Sequence, residues 1–242
     1  MARSRYKPPS DVITGFRSFI KDAEARHDEL LLAVYGKKRQ SILESTLAEQ
    51  FALTVTIRWE SFLHDLLIAH ILEDPTTFVD AYIKRIRQGV LDKYGSGWQR
   101  RVRIDGSHTQ LTAASVELLL DPRGRNLTVA SSSELANTAS NLIGSAAKNF
   151  SLKPEDRQLL DFSIALRNYL AHRSSSSRSE LVAAIGAFSS SGPMSCLAGP
   201  FTTAGSYLRQ SCASGTRMKF LFASLSGLAA KLTRNTGATK TS

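Results

Sequence analysis

The sequence predicts an all-α protein, folded as a helical bundle. Residues 41–73 contain neither proline nor glycine, and their apolar positions recur mostly every four residues, which is the period of one face of an α-helix. Residues 11–35 and 153–172 show the same kind of spacing. The chain has 242 residues, of which 42% are hydrophobic, so it can bury a substantial core in one large domain. No apolar run reaches the roughly 18 residues of a membrane span, and we expect a soluble protein.

Three helices are predicted in the first part of the chain. The first covers residues 11–35, with an N-cap at Ser10 and Asp11, and the basic segment 1–40 that contains it is expected to pack on the bundle. The second covers residues 41–73 and carries an apolar stripe made of Leu43, Leu47, Phe51, Val55, Trp59, Phe62, Leu66 and Ile71. The third runs from about residue 77 to residue 93 and ends at two nearby glycines.

The middle of the chain predicts two more helices and a turn. Residues 112–120 form a short helix, and residues 121–125 form a turn that leads into a strand-like stretch at 126–129. The serines and glutamate of residues 131–134 are typical of a helix N-terminus, so residues 133–149 should be helical.

Two helices that follow each other closely complete the predicted central domain, residues 41–188. The first covers residues 153–172 and begins with Pro154 and two acidic residues, which suit the first turn of a helix. It should end soon after His172, where four serines follow. Ser177 and Glu180 have the spacing of a capping box and predict another helix through about residue 188.

The last part of the chain, residues 189–242, is predicted as a linker followed by a basic amphipathic helix. Residues 189–216 are rich in Ser, Gly, Thr and Pro, which is typical of a linker or a loosely packed surface segment. The apolar residues of the helix then recur every three or four positions, at Met218, Leu221, Leu225, Leu228 and Leu232. Such a helix can bind a membrane surface or a partner, but packing on its own bundle is the commoner arrangement.

The cysteine content and the N-terminus favour a cytoplasmic protein. Its two cysteines, Cys196 and Cys212, lie in no CxxC pair and near no histidine cluster, so neither a disulfide framework nor a zinc site is indicated. The basic N-terminus is not followed by the unbroken apolar stretch of a secretion signal. We therefore expect a reducing environment and no bound metal.

The positive charge is unevenly distributed and points to a polyanionic partner. The net charge is +10, yet residues 41–80 contain one basic and seven acidic residues. Residues 81–105 contain seven basic and two acidic residues, and residues 173–242 contain eight and one. Such blocks attract the phosphates of nucleic acids. Arg100, Arg101, Arg103, Arg173 and Arg178 are the candidate RNA-binding residues.

One sequence element combines an arginine and a histidine in a setting that suits catalysis. Arg167-Asn-Tyr-Leu-Ala-His172 is an R-x4-H element at the end of a predicted helix. Two other pairs have similar spacing, but Arg103 and His108 span an Asp-Gly turn, and Arg58 and His64 lie within an uninterrupted helix. Five residues on a regular helix turn through about 140°, so a joint function favours a pair whose helix ends near the histidine. Among the three pairs, only Arg167 and His172 meet that condition.

This element, together with Trp59-Glu-Ser-Phe-Leu-His-Asp65 and Asp121-Pro-Arg-Gly-Arg-Asn-Leu-Thr128, resembles the HEPN superfamily, in particular the prokaryotic RiboL-PSP-HEPN ribonucleases and toxins. The resemblance covers roughly residues 40–188. It implies an HEPN-like all-α bundle that forms a homodimer, in which the motifs of the two subunits face each other as a metal-independent endoribonuclease site without a cofactor. It also implies a toxin or an antiviral defence effector, with a possible antitoxin protein as partner.

The resemblance assigns a role to each residue of the motif. His172 would act as general base or acid, because imidazole exchanges protons near neutral pH. Arg167 would bind the scissile phosphate with its planar guanidinium, and Asn168 would position the phosphate or the imidazole. Glu60 and His64, four residues apart on one helix face, would either support this site or contact only each other. Some HEPN toxins have a tyrosine two residues after the histidine as the target of a modifying partner, and Ser174 occupies that position here.

Two other functions remain open on the sequence alone. In the first, a non-catalytic bundle of the same fold binds RNA, a nucleotide or a protein through Arg167. In the second, the chain is a structural protein whose basic C-terminal helix binds a partner. A purely structural role for the motif is also possible, with Arg167 in an ion pair with Asp161 or Glu180 and His172 at a helix C-terminus, where a positive charge is favoured.

Overall fold

The computed structural model describes residues 7–104, 111–121, 129–213 and 215–232, and within them the protein is all-α apart from one short hairpin. The α-helices are α1 (Pro9–Val34), α2 (Gln40–Glu73), α3 (Thr76–Tyr94), α4 (Ser96–Gln99), α5 (Ala113–Leu120), α6 (Ser132–Leu142), α7 (Pro154–His172), α8 (Ser175–Gly186), α9 (Ala204–Arg209) and α10 (Arg217–Lys231). Residues Gly144–Phe150 and Ser195–Leu197 form 3-10 helices, and strands β1 (Ser211–Cys212) and β2 (Gly215–Thr216) pair antiparallel. None of the described helices combines the length and the apolar character needed to cross a membrane.

Helix α2 is the central element of the bundle, as its apolar stripe predicts. Helices α1, α7, α9 and α10 all pack against it. Where α1 crosses α2, the ring of Phe16 lies 5.3 Å from that of Trp59 and 4.5 Å from that of Phe62, measured between centroids. All three rings are fully buried, so this aromatic cluster fixes the first two helices to each other. The predicted long helices at 11–35, 41–73 and 153–172 are confirmed within one or two residues, apart from the N-cap of α1, which is Pro8.

The helix predicted over residues 133–149 ends early, at Leu142. The chain continues at Gly144 with a φ of +52°, and a 3-10 helix follows. A Cβ atom at this position would lie 2.5 Å from the side-chain oxygen of Thr77, at the start of α3. The close approach of α3 therefore requires a glycine here, and the helical spacing alone does not reveal it. The stretch 122–128, which contains most of the predicted turn and strand, lies outside the described residues.

The structure differs most from the sequence-based expectation over residues 189–216. This segment is not loosely packed, because Leu197, Ala204, Tyr207 and Leu208 are fully buried. Its helix α9 lies directly on α2: a Cβ atom on Gly205 would be only 2.7 Å from the carbonyl oxygen of Ser45. The many small residues of this segment thus permit close packing of helices. A segment that packs in this way can have the same composition as a flexible linker.

The two cysteines form a disulfide, contrary to the expectation of free thiols. Cys196 and Cys212 are 16 residues apart, with their Cα atoms at 5.4 Å, a usual separation for a disulfide. Cys196 lies in the 3-10 helix Ser195–Leu197, and Cys212 lies in strand β1. Their spacing resembles no known sequence pattern, which is why the pairing was not predicted. Disulfides are more typical of oxidising compartments than of the cytosol, so a cytoplasmic location stays a prediction.

Reduction of this disulfide is expected to lower the free energy of unfolding by about 3 kcal/mol, the value for closing a loop of about 15 residues in the unfolded chain. Thermal or urea unfolding with and without a reducing agent would measure the difference. The Cys196→Ser and Cys212→Ser double variant should match the reduced protein and show no further response to reductant. Equal stability of the oxidised and reduced proteins would contradict this expectation.

Helix α10 is amphipathic, as predicted, and its apolar face is buried in the bundle. Met218, Leu221, Leu225, Leu228 and Leu232 are all fully buried. Helix α10 packs along α1, where Lys219 Nζ donates to Asp28 Oδ2 at 2.9 Å and Arg17 donates to Ser226. The apolar stripe of α10 therefore forms part of the protein core, and its position explains why α1 also belongs to the bundle.

A buried histidine makes the stability of the fold depend on pH. His70 is buried at the end of α2, with Nδ1 3.4 Å from a carboxylate oxygen of Glu73. Burial lowers the pKa of His70 from its ordinary value of 6.5, and the Glu73 charge partly opposes this. Since the unfolded chain binds the proton first, the free energy of unfolding should fall as the pH drops through 6.5. His27 is also buried with a lowered pKa and contributes with the same sign.

We expect His70→Leu to reduce the loss of stability between about pH 7.5 and pH 5.5, measured as the midpoint of urea unfolding at each pH. Glu73→Gln should have the opposite effect, because it removes the carboxylate that favours protonated His70. A pH dependence that is the same in the wild type and in both variants would show that His70 does not control it.

Candidate functional site at the end of helix α7

The candidate site lies where α7 ends and α8 begins. Helix α7 stays regular through His172, and Arg173 then adopts a left-handed conformation with a φ of +53°. Ser174 is the N-cap of α8 and forms a reciprocal capping box with Ser177. The predicted cap at Ser177 is therefore three residues too late, because α8 begins directly after the left-handed Arg173. Glu180, the other half of the predicted box, instead accepts a hydrogen bond from Ser176.

Arg167 lies between α7 and α2, next to a partly buried glutamate. Its Nε is 3.3 Å from Glu60 Oε2, and the two side chains are 26% and 16% exposed. The Nε–H is not aligned for a hydrogen bond, so the contact is an ion pair. Burial raises the pKa of the Glu60 carboxyl, and the Arg167 charge opposes this rise. Asn168 Oδ1 accepts a hydrogen bond of 2.9 Å from Arg167 Nη1, so both neighbours orient the guanidinium.

His172 occupies the last position of α7 and is exposed to solvent. Within the described ranges, no hydrogen bond or ion pair restrains its imidazole. Its position five residues after Arg167 on a regular helix places the two side chains about 140° apart around the helix axis. One chain therefore presents the arginine and the histidine in different directions.

Arg173, predicted to bind RNA, is instead paired with a glutamate on α2. Its Nη2 donates to Glu49 Oε2 at 2.6 Å, and its guanidinium lies 5.4 Å from the centre of the Tyr169 ring. The hydrogen bond to Glu49 raises the pKa of Arg173. The other oxygen of Glu49 accepts the backbone N–H of Gly205 at 2.9 Å. Glu49 thus connects the α7–α8 junction to α9.

The other predicted RNA-binding arginines lie in two separate places. Arg178 is exposed on α8, 5.9 Å from the centre of the Phe201 ring. Arg100, Arg101 and Arg103 are exposed in the stretch that follows α4. In the part of the chain that the structure describes, no hydrogen bond or ion pair links these three to α7 or α8.

His64 takes no part in the Arg167 ion pair. Among the described residues no hydrogen bond or ion pair joins Glu60 to His64, and the ion-pair partner of Glu60 is Arg167. His64 lines a cavity of about 310 Å3 between α1, α2 and α5, and its Nε2 is buried without a hydrogen-bond partner among the described residues. Arg58, of the alternative motif, forms an exposed pair with Asp65 at 3.8 Å. His108, of the other alternative, lies outside the described residues.

The structural partners that the sequence suggested for Arg167 are engaged elsewhere. Asp161 accepts hydrogen bonds from the backbone and the side chain of Ser132, at the start of α6. The partner of Arg167 is Glu60, which the sequence placed near the site but did not pair. Glu49 was missed, although it lies eleven residues before Glu60 and therefore on nearly the same face of α2. Two carboxylates on one face of the central helix were the available signal.

The junction of α7 and α8 thus presents an exposed imidazole that no described side chain restrains, together with Arg167 and Arg173, whose guanidinium groups are each paired with a glutamate. An imidazole can act as a proton donor or acceptor, and guanidinium groups can bind phosphate oxygens in a bidentate manner. No cluster of three or more His, Cys, Asp or Glu side chains suited to a metal ion occurs within the described residues.

Comparison with known proteins gives no match: no protein-family model, no curated protein and no solved structure shows significant similarity to this chain.

Proposed function

We propose that this protein is an HEPN-type endoribonuclease that cleaves RNA without a metal ion, at a site shared by two copies of the chain. The observation that carries the proposal is the position of the R-x4-H motif at the end of α7, with His172 exposed at the last helical position. The orientation of Arg167 by Glu60 and Asn168 adds support, because a guanidinium held in place loses less freedom when it binds phosphate.

The chemistry requires one base, one acid and positive charge. The base takes the proton of a ribose 2′-hydroxyl, whose oxygen then attacks the adjacent phosphorus. A P–O bond forms to the 2′ oxygen, and the bond to the 5′ oxygen of the next nucleotide breaks. The acid gives a proton to that leaving oxygen, so the products are a 2′,3′-cyclic phosphate and a 5′-hydroxyl. Arginine stabilises the negative charge that develops on the phosphoryl oxygens.

A site between two chains supplies the second proton-transfer group that one chain lacks. Each chain contributes one His172, and the reaction uses two proton-transfer groups. The angle of about 140° between Arg167 and His172 also favours a site in which the groups of two chains converge. In a symmetric dimer, the histidine of one chain acts as base and that of its partner as acid, while both arginines bind the scissile phosphate.

Such an enzyme would damage the RNA of its own cell unless it were controlled. We therefore propose that it acts as a toxin or an antiviral defence effector in the cytoplasm, held in check by an antitoxin protein or activated by a trigger. Ser174 carries no phenol, so control by modification of a tyrosine at that position is not part of the proposal.

Cleavage in the presence of a chelator tests the proposal. The purified protein is incubated with a mixed RNA pool in EDTA, beside the Arg167→Ala and His172→Ala variants, and the RNA ends are identified. We expect cleavage by the wild type alone, with cyclic phosphate and 5′-hydroxyl ends. Wild-type cleavage that equals that of the His172→Ala variant, or that leaves other ends, would contradict the mechanism.

The non-catalytic alternative rests on the ion pair between Arg167 and Glu60. A guanidinium that is already paired contributes less net charge to phosphate binding, which suits a bundle that binds RNA, a nucleotide or a protein without cleaving RNA. RNA binding that weakens steeply with salt, with no cleavage under any condition, would favour this alternative.

A further inference from the structure

We propose that Tyr94 and Trp98 form a stacking platform for the bases of single-stranded RNA, flanked by cations that bind the phosphates. This inference deepens the proposed function and rests on it for RNA as the ligand, because it names the form of RNA that the protein binds. The platform lies at the junction of α3 and α4, which contains neither the R-x4-H motif nor its glutamate partners.

The two aromatic rings are exposed and close to each other. Helix α3 ends at Tyr94, Gly95 interrupts it with a φ of +79°, and Trp98 follows in α4. Tyr94 is 57% exposed and Trp98 is 56% exposed, although both are large side chains that usually find cover. Their ring centroids are 6.5 Å apart, with 57° between the planes. Rings that are more than half exposed can each stack on a base.

Cations surround the rings. Lys93 Nζ lies 5.4 Å from the centre of the Tyr94 ring, and the Arg101 guanidinium lies 5.8 Å from that of Trp98. Arg100 is exposed beside them. Arg87 lies seven residues before Tyr94, which is two helical turns and thus the same face of α3. Among the described residues, none of these four cations has an acidic partner.

The pairing state of these cations differs from that of five other cations in the described residues. Arg167, Arg173 and Arg209 are each bound to a glutamate of α2. Lys219 and Lys231 on α10 are each bound to an aspartate. Cations that are already paired add little to the attraction of a polyanion, so the four unpaired cations around α3 and α4 can contribute fully to binding of phosphates.

The combination of exposed rings and unpaired cations favours single-stranded RNA over other ligands. The bases of a single strand have free faces that stack on aromatic side chains. In a duplex, each base face is covered by its neighbours, so only the phosphates remain available. Tyr, Trp and Arg are also enriched at protein interfaces, so a protein partner is the alternative that the RNA-binding experiment tests.

Binding measurements with the full chain test the platform. In a His172→Ala background, which prevents cleavage under the proposed function, the affinity for a labelled 12-nucleotide single strand is measured in low salt and EDTA. Trp98→Ala is expected to weaken binding about tenfold, because one base loses its stacking partner. Tyr94→Ala is expected to weaken it by a similar factor. Trp98→Phe should keep most of the affinity. A duplex of equal length should bind more weakly, with an affinity that Trp98→Ala barely changes.

Tyr35 supplies a matched control. It is 76% exposed and is followed by Lys37, Lys38 and Arg39, so Tyr35→Ala also removes an exposed ring beside cations. We expect it to leave the affinity unchanged, because Tyr35 has no second exposed ring as a neighbour in the described structure.

Tryptophan fluorescence distinguishes stacking from charge attraction alone. The chain contains two tryptophans, of which Trp59 is buried and Trp98 is exposed. A base stacked on Trp98 should quench the red edge of the emission and leave that of Trp59 unchanged. The quenching should be absent from the Trp98→Phe variant.

Several results would overturn the platform. These are unchanged single-strand affinity in the Trp98→Ala and Tyr94→Ala variants, an equal loss in Tyr35→Ala, or a duplex that binds as tightly as the single strand. Absence of RNA binding would also overturn it. If the wild type cleaves RNA and the Trp98 variants bind RNA normally, the platform is refuted and the proposed nuclease activity stands. If RNA binds through Trp98 but is not cleaved in EDTA, the nuclease activity is refuted and the platform stands.

Discussion

RNA cleavage is expected to fall about 10²–10⁴-fold when His172 is replaced with alanine, which is the usual contribution of a positioned acid or base. The side chain is exposed at the end of α7, so the variant should fold like the wild type. Initial rates on end-labelled RNA in EDTA would measure the effect, with circular dichroism as the folding control.

Arg167→Lys should also lose most of the activity, since it keeps the charge but not the planar pair of donors.

A site shared by two chains also predicts the activity of a mixture of wild-type and His172→Ala chains. If both histidines of a dimer are needed, a dimer with one wild-type and one His172→Ala chain is inactive. Co-expression of the two chains in equal amounts should then leave about a quarter of the wild-type activity, because only wild-type homodimers remain active. Independent sites in each chain would leave about half, and that result would refute the shared site.

Replacement of Trp59 with alanine is expected to give the largest loss of stability, about 3–5 kcal/mol. Trp59 is 1% exposed and contacts both Phe16 and Phe62, so the change leaves a cavity where α1 meets α2. The midpoint of urea unfolding would measure the loss. Because Glu60 follows Trp59 on α2, the variant should also show whether the orientation of Arg167 depends on this packing.

Trp59→Phe is the matched control for that variant. The indole N–H of Trp59 is buried without a hydrogen-bond partner among the described residues, so its removal breaks no hydrogen bond. Phenylalanine keeps most of the apolar contact, and the loss should be well below that of Trp59→Ala. Equal losses in the two variants would mean that the indole makes an interaction that these contacts do not include.

The long helices could be predicted from the sequence because each one has a continuous apolar stripe. The stripe of α10 and the stripe of α2 from Val55 onward identify residues that are buried in the structure. At the start of α2 the prediction fails in part, because Leu43 is exposed and Leu47 and Phe51 are only partly buried.

The early end of α6 could not be predicted, because it depends on the contact of Gly144 with Thr77 in a distant helix. The packing of segment 189–216 could not be predicted for a similar reason. The lack of a side chain at Gly205 matters only because α2 lies directly against it.

The candidate site could be predicted only in part. The end of α7 at His172 follows from the serines after it, and the structure places Glu60 beside Arg167. The pairing of Arg173 with Glu49 joins residues 124 positions apart, and no local pattern reveals such a contact. Arg173 therefore looked available for RNA in the sequence and is paired in the structure.

The packing of α10 against α1 also has a consequence for synthesis of the protein. Lys219 and its partner Asp28 are 191 residues apart, and at about 5–20 residues per second the ribosome adds the second roughly 10–40 s after the first. During that interval, the face of α1 that α10 later covers is exposed on the nascent chain. The bundle cannot close before α10 emerges, so this surface is open to chaperones while the rest of the chain is being translated.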